Sequence, residues 1–134
     1  MTKQQNRILL AAFAIVLMFI WGNSLLPAEQ STAISDKVAR LIRRLLPFLQ
    51  EAELSGLSLP PLRKIGHFAE YALLGAVALF IVRRLGPLHE HWTQLALTGL
   101  GVSFIDESIQ LFSPGRGPAI TDMWIDLAGF TLGA

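Results

Sequence analysis

Apolar residues come in long blocks along this chain, and a few polar residues interrupt each block near one end. Residues 8–26 are apolar except for Gly22, Asn23 and Ser24, a length that predicts a transmembrane helix. Residues 66–82 form a second block, closed by Arg83, Arg84 and the breakers Gly86 and Pro87. Residues 93–112 form a third, ended by the turn Ser113-Pro114-Gly115-Arg116-Gly117-Pro118. A fourth, 119–134, starts with Thr121 as its expected cap. Its helix of about 14 residues would reach roughly 21 Å, short of the ~30 Å hydrocarbon layer. It is therefore expected to be an incomplete span.

Residues 31–50 follow a different rule. Ile34, Val38, Leu41, Ile42, Leu45, Leu46 and Leu49 recur at helical spacing, with Lys37, Arg40, Arg43 and Arg44 on the other side. This predicts a basic amphipathic helix that lies in the membrane interface, packs as a cover on the spans, or does both. Ser31 or Ser35 can cap it, with Asp36 in its first turn. Pro47, Gly56, Pro60 and Pro61 then break the chain into a loop. The fold expected is all-α and integral to the membrane. It is a small antiparallel bundle of about four spans with one interfacial helix, forming a single domain over 1–134.

Composition agrees. The 134 residues are 52% hydrophobic and 16% charged, against about 25% charged in soluble domains. Lys3 and Arg7 before residues 8–26 also suit a cleaved signal peptide, but the run is long and no A-x-A site follows it. There is no cysteine, which excludes disulfides and thiol catalysis. Basic residues are dispersed and aromatics sit in apolar runs, so nothing points to nucleic acid.

The polar interruptions carry the chemistry. A charge at mid-bilayer costs at least about 2.5–3.5 kcal/mol, so such residues usually face a bundle interior. Gly99, Ser103, Asp106 and Gln110 share one helical face, and so do Asp122, Asp126, Gly129 and Gly133. A short turn joins the two segments, which makes them antiparallel. Gly99 and Ser103 are expected to meet Gly129 and Gly133 at a close crossing. Asp106 and Gln110 then lie beside Asp126 and Asp122. His67, Glu70 and Tyr71 share a face with Leu74, Gly75 and Ala78, and Arg63, Lys64 and Arg116 are expected just outside the same surface. The product would be a polar pocket open to one side.

Each residue has a chemical and a plain reading. The adjacent carboxylates of Asp106 and Glu107 repel, which is how acid/base pairs arise, or they simply hydrogen-bond helices together. His67 and Glu70 can point at one ligand, or form a buried pair. With Asp106, Glu107, Asp122 and Asp126 they offer nitrogen and oxygen to a divalent metal, without any strict metal spacing. Tyr71 is a donor or an interface anchor. Arg116 reaches a phosphate or pairs with Asp122, which also suits a helix first turn. His89 and His91 are expected in the opposite loop. Ser24, Ser31 and Ser35 have no base spaced beside them, and capping accounts for two of them.

Two motifs carry a resemblance. Arg63-Lys64-x-x-His67-Phe68-x-Glu70-Tyr71-x-x-Leu74-Gly75 is similar to the first motif of the VanZ-like family. Asp106-Glu107-x-x-Gln110-x-Phe112-x-Pro114-Gly115-Arg116 followed by Asp122 resembles its second. Trp21, Asn23, Ser24 and Pro27 resemble its first-helix ending, and Asp126, Gly129 and Gly133 fit beyond the second motif. Asp126 departs from the asparagine that many members have there. The resemblance implies a multi-pass bacterial membrane protein with a role in low-level resistance to the glycopeptide teicoplanin. The resemblance leaves the activity open. The pocket's own residues suggest, with membrane lipids as partners, either an intramembrane enzyme acting on an envelope lipid or lipid-linked precursor, or a non-catalytic protein that binds a lipid headgroup or the glycopeptide. On the first reading Glu107, Asp106, His67 and Glu70 are the candidate catalytic residues. Arg116, Lys64, Arg63, Tyr71, Gln110, Asp122 and Asp126 are the candidate binding residues. Basic residues lie at both ends of the spans, so the choice of an inner-membrane protein with a cytoplasmic N-terminus and an outward pocket rests on where the antibiotic acts.

Overall fold

The computed structural model describes residues 3–46, 62–85 and 88–134, and these are helical almost throughout. Among the described residues there are five helices, in chain order α1 (Lys3–Leu25), α2 (Ala28–Leu45), α3 (Leu62–Leu85), α4 (Leu88–Gln110) and α5 (Ile120–Gly133). Two of them, over Lys3–Leu25 and Leu62–Arg84, are long and apolar enough to cross a membrane. The loop expected around Pro47, Gly56, Pro60 and Pro61 lies outside the described residues.

Burial is partly inverted relative to a soluble protein. Ser24, Ser103, Asp106, Glu107, Gln110, Ser113 and Asp126 are buried, while Leu10, Ile15, Met18, Phe80, Phe104 and Leu132 are more than half exposed. The apolar core is small: Ile20, Tyr71, Leu74, Ala78, Val82, Leu95, Val102 and Phe130.

Helix limits differ from the sequence blocks for local reasons. α1 takes in the polar head from Lys3, whose Lys, Gln and Arg residues are good helix formers. α3 starts at Leu62, so Arg63 and Lys64 stand in its first turn rather than ahead of it. α4 starts at Leu88, directly after Gly86 and Pro87, so His89 and His91 belong to a helix and not to a loop. α2 starts at Ala28, ahead of Ser31 and Ser35, and neither serine caps it. Pro27 takes the cap position with no side-chain bond, Glu29 replaces Asp36 in the first turn, and the Ala28 N–H donates to the Pro114 carbonyl at 3.0 Å. Ile34, Val38, Leu41 and Leu45 on its apolar stripe are all 42% exposed or more.

The glycine stripes dock differently from the expectation. Gly99 does not meet Gly129 or Gly133. It lies under the Phe130 ring, where an added Cβ would sit 2.6 Å from Cδ1. Gly129 faces the Phe68 backbone carbonyl and Gly133 the Ala72 carbonyl, and Gly75 faces the Phe130 carbonyl. The small residues thus bring α5 against α3, and the numbers rise together, so these two helices run the same way. Ser103 donates to the Met123 carbonyl at 3.1 Å while Gly99 meets Phe130, so α4 and α5 run oppositely.

Candidate functional site

The site gathers where α1 and α4 end and α3 and α5 begin. α3 brings Arg63, Lys64, His67 and Glu70; α4 brings Asp106, Glu107 and Gln110; α5 brings Asp122 and Asp126. The turn between α4 and α5 supplies Arg116. Gly115 takes φ of +74° in that turn, a left-handed conformation that glycine adopts without strain.

His67 is the hinge of the arrangement. Its Nδ1 lies 3.8 Å from Asp106 Oδ2 and 3.6 Å from Asp126 Oδ1. Both aspartates are fully buried. Ser103 Oγ donates to Asp126 Oδ2 and Gln110 Nε2 to Asp106 Oδ2, each at 3.5 Å. The second oxygen of each carboxylate, Asp106 Oδ1 and Asp126 Oδ1, is buried without a hydrogen-bond partner.

Glu107 turns away from this group. Its Oε2 accepts the Ala119 N–H at 2.7 Å, and its Oε1 accepts from Gln110 Nε2 at 3.1 Å. Thr121 is not the cap of α5: Ala119 holds that position, and its N–H is satisfied by a carboxylate from α4 whose charge suits the helix dipole. Asp122, also in that turn, pairs with Lys64 Nζ at 2.9 Å and Arg63 at 3.5 Å. It is not the partner of Arg116. Arg116 instead donates to the Ser24 carbonyl at 3.4 Å, and its Nε is buried and unpartnered. Burial, followed by the Arg63 charge, pushes its pKa below the ordinary arginine value. Tyr71 is fully buried, so it is no interface anchor; its hydroxyl donates to the Val102 carbonyl at 3.5 Å.

α1 is the contributor the sequence reading left out of the site. Asn23 Nδ2 donates to Glu70 Oε1 at 2.8 Å, leaving Glu70 Oε2 buried and unpartnered. The Ser24 carbonyl accepts from Ser113 Oγ at 2.7 Å, and Ser24 Oγ and Trp21 Nε1 are buried without partners. The break of the apolar run at Gly22-Asn23-Ser24 was the available signal.

A cleft of about 570 Å³ opens beside His67. Its lining mixes polar side chains, Asn23, Arg63, His67, Glu70 and Arg116 with Ser31 and Ser35 of α2, and apolar ones, Phe19, Leu26, Ile34, Val38, Leu62 and Ile65, from α1, α2 and α3. Lys64, Tyr71, Gln110, Asp122 and Asp126 do not line it. Asp106 and Asp126 stand behind His67, so the imidazole borders both the cleft and the buried acids. His91 is remote from all of this and bonds Gln94 at 2.7 Å.

Comparison with known proteins gives one match. The family model described as VanZ/LLP1 matches residues 9–134, nearly the whole chain. No curated protein and no solved structure matches it. The chain belongs to the VanZ/LLP1 family.

Proposed function

We propose that this VanZ/LLP1 protein is a bacterial inner-membrane protein whose cleft takes the headgroup of an envelope lipid or lipid-linked precursor and modifies it. Low-level protection against glycopeptides such as teicoplanin would follow from that change. The observation that carries the reading is the mixed lining of the cleft. Two arginines, a histidine and a carboxylate share it with apolar side chains from α1, α3 and the amphipathic helix α2. A phosphate-bearing lipid has the same mixture, an anion joined to a chain.

On this reading α1, α3, α4 and α5 are the spans of a small antiparallel bundle and α2 lies along the interface. The N-terminus is cytoplasmic and the cleft faces outward. Arg63 and Arg116 form the phosphate clamp, a role better suited to Arg63 than to Lys64, because Arg63 lines the cleft and Lys64 does not. His67 and Glu70 are placed for proton transfer, with Asp106 and Asp126 behind the imidazole. Glu107 is a positioning residue, because α5 uses its carboxylate as a cap.

The test compares envelope lipids by mass spectrometry, with and without expression, for wild type, Glu70→Gln and Arg116→Gln at matched membrane abundance. A new lipid species with wild type, lost in both variants, is expected, together with teicoplanin protection that follows it. An unchanged lipid profile alongside intact protection would overturn the enzymatic reading. It would favour a second one, that the cleft binds a headgroup or the glycopeptide and limits drug access. That reading draws on the engagement of Glu107 in helix capping, which removes one candidate base. Labelling of single cysteines introduced at Glu29 and Gln94 in intact cells fixes the orientation. Protection of Glu29→Cys from an impermeant reagent would reverse the assignment.

A further inference from the structure

Of the six side chains with metal-ligating atoms expected near the site, three are brought together. His67, Asp106 and Asp126 each offer one ligand atom, and these atoms lie within 4.8 Å of one another. Glu70, Glu107 and Asp122 are not in that group: Asn23, Ala119 and Lys64 hold them elsewhere.

The distances do not describe a hydrogen-bonded pair. N–H···O bonds run at about 2.7–3.2 Å, whereas His67 Nδ1 stands 3.8 Å from Asp106 and 3.6 Å from Asp126. They do match two ligands of one ion. Donors each about 2.1 Å from a common cation lie at most about 4.2 Å apart. The carboxylates are prepared in the same sense. Ser103 holds Asp126 Oδ2 and leaves the Oδ1 beside His67 without a hydrogen-bond partner, whereas Gln110 orients Asp106 through Oδ2, the oxygen beside His67, and Asp106 Oδ1 has no partner. Among the described residues no Lys or Arg pairs with either aspartate. Two carboxylates and one imidazole match the charge of a divalent ion and the taste of zinc-class transition metals for mixed nitrogen and oxygen donors.

We propose that His67, Asp106 and Asp126 bind one divalent transition-metal cation, on the side of the imidazole that faces away from α2. Three protein ligands leave coordination positions open. The inference stands apart from the lipid reading, since it requires no substrate.

The experiment is metal analysis of the full chain purified in detergent. Chelator-stripped protein is then titrated with zinc and with manganese by calorimetry, and a thermal melt is recorded with and without ion. Wild type is expected to hold one ion per chain and to melt higher when loaded. His67→Gln and Asp126→Asn are each expected to weaken binding by at least about tenfold, while Asp36→Asn on α2 leaves it unchanged. Two isosteric variants guard against one of them failing to fold. No saturable binding of either ion by wild type, or binding that survives both substitutions, overturns the proposal. Either result leaves the lipid-profile test untouched.

Discussion

α5 makes two seams, and they are built on opposite principles. Against α3 its middle and end rest on backbone: Gly129 and Gly133 lie on the carbonyls of Phe68 and Ala72, and Gly75 on that of Phe130, while side chains meet only at its start, Asp122 with Lys64 and Arg63 and Asp126 near His67. Against α4 it is side-chain chemistry: Ser103 bonds Met123 and Asp126, Phe130 roofs Gly99, and Glu107 caps the helix. The difference teaches how a short helix is held at a fixed height. The glycine seam sets distance and register with no side chain to adjust. The polar seam sets rotation, because Asp126 must turn toward Ser103 of α4 while staying beside His67 of α3.

The seams are broken by different substitutions. Gly129→Ala or Gly133→Ala puts a methyl into a backbone carbonyl that cannot move aside, so each should cost up to about 3 kcal/mol of stability. That exceeds the ~1 kcal/mol alanine gains in helix propensity. Loss of folded protein in a detergent melt checks it, and a wild-type melt would mean that the seam yields. Glu107→Ala comes next, at about 1–3 kcal/mol, because the Ala119 N–H loses its acceptor. Glu107→Gln keeps an acceptor oxygen and should cost well under half as much. Equal losses for the two would mean that charge, not capping, matters. Gly99→Ala meets only a ring edge, which can tilt, and should cost about 1 kcal/mol. Ser103→Ala should be mildest, about 0.5–1.5 kcal/mol before the helix-propensity gain of alanine. A larger loss for Ser103→Ala than for Gly129→Ala would reverse the ranking of the seams.

Much of this was readable before any coordinates. Spacings of three and four put Ser103, Asp106 and Gln110 on one face, and the single turn at 113–118 required α5 to come back along α4. The rotation of α5 about its own axis was not readable. Periodicity says which residues share a face, not which neighbour that face meets. Gly129 and Gly133 therefore went to α4 on paper and to α3 in the structure. Asp106 and Glu107 are neighbours in sequence but about 100° apart around the helix. One points at His67 and the other at the α5 terminus, and no composition rule separates them. The role of α1 was hidden for another reason. Asn23 and Ser24 stand out only as interruptions at the end of an apolar run, and their partners Glu70 and Ser113 lie 47 and 89 positions away.

That last separation bears on biogenesis. When α1 first enters the bilayer, the amide of Asn23 and the carbonyl of Ser24 have no protein to bond. At about 5–20 residues per second, the ribosome needs roughly 4–18 s to make the 89 residues from Ser24 to Ser113. Water at the membrane surface must serve the Ser24 carbonyl through that interval, and the Asn23 amide for the shorter one until Glu70 is made, which favours leaving this end of the helix at the interface until the turn bearing Ser113 and Arg116 arrives.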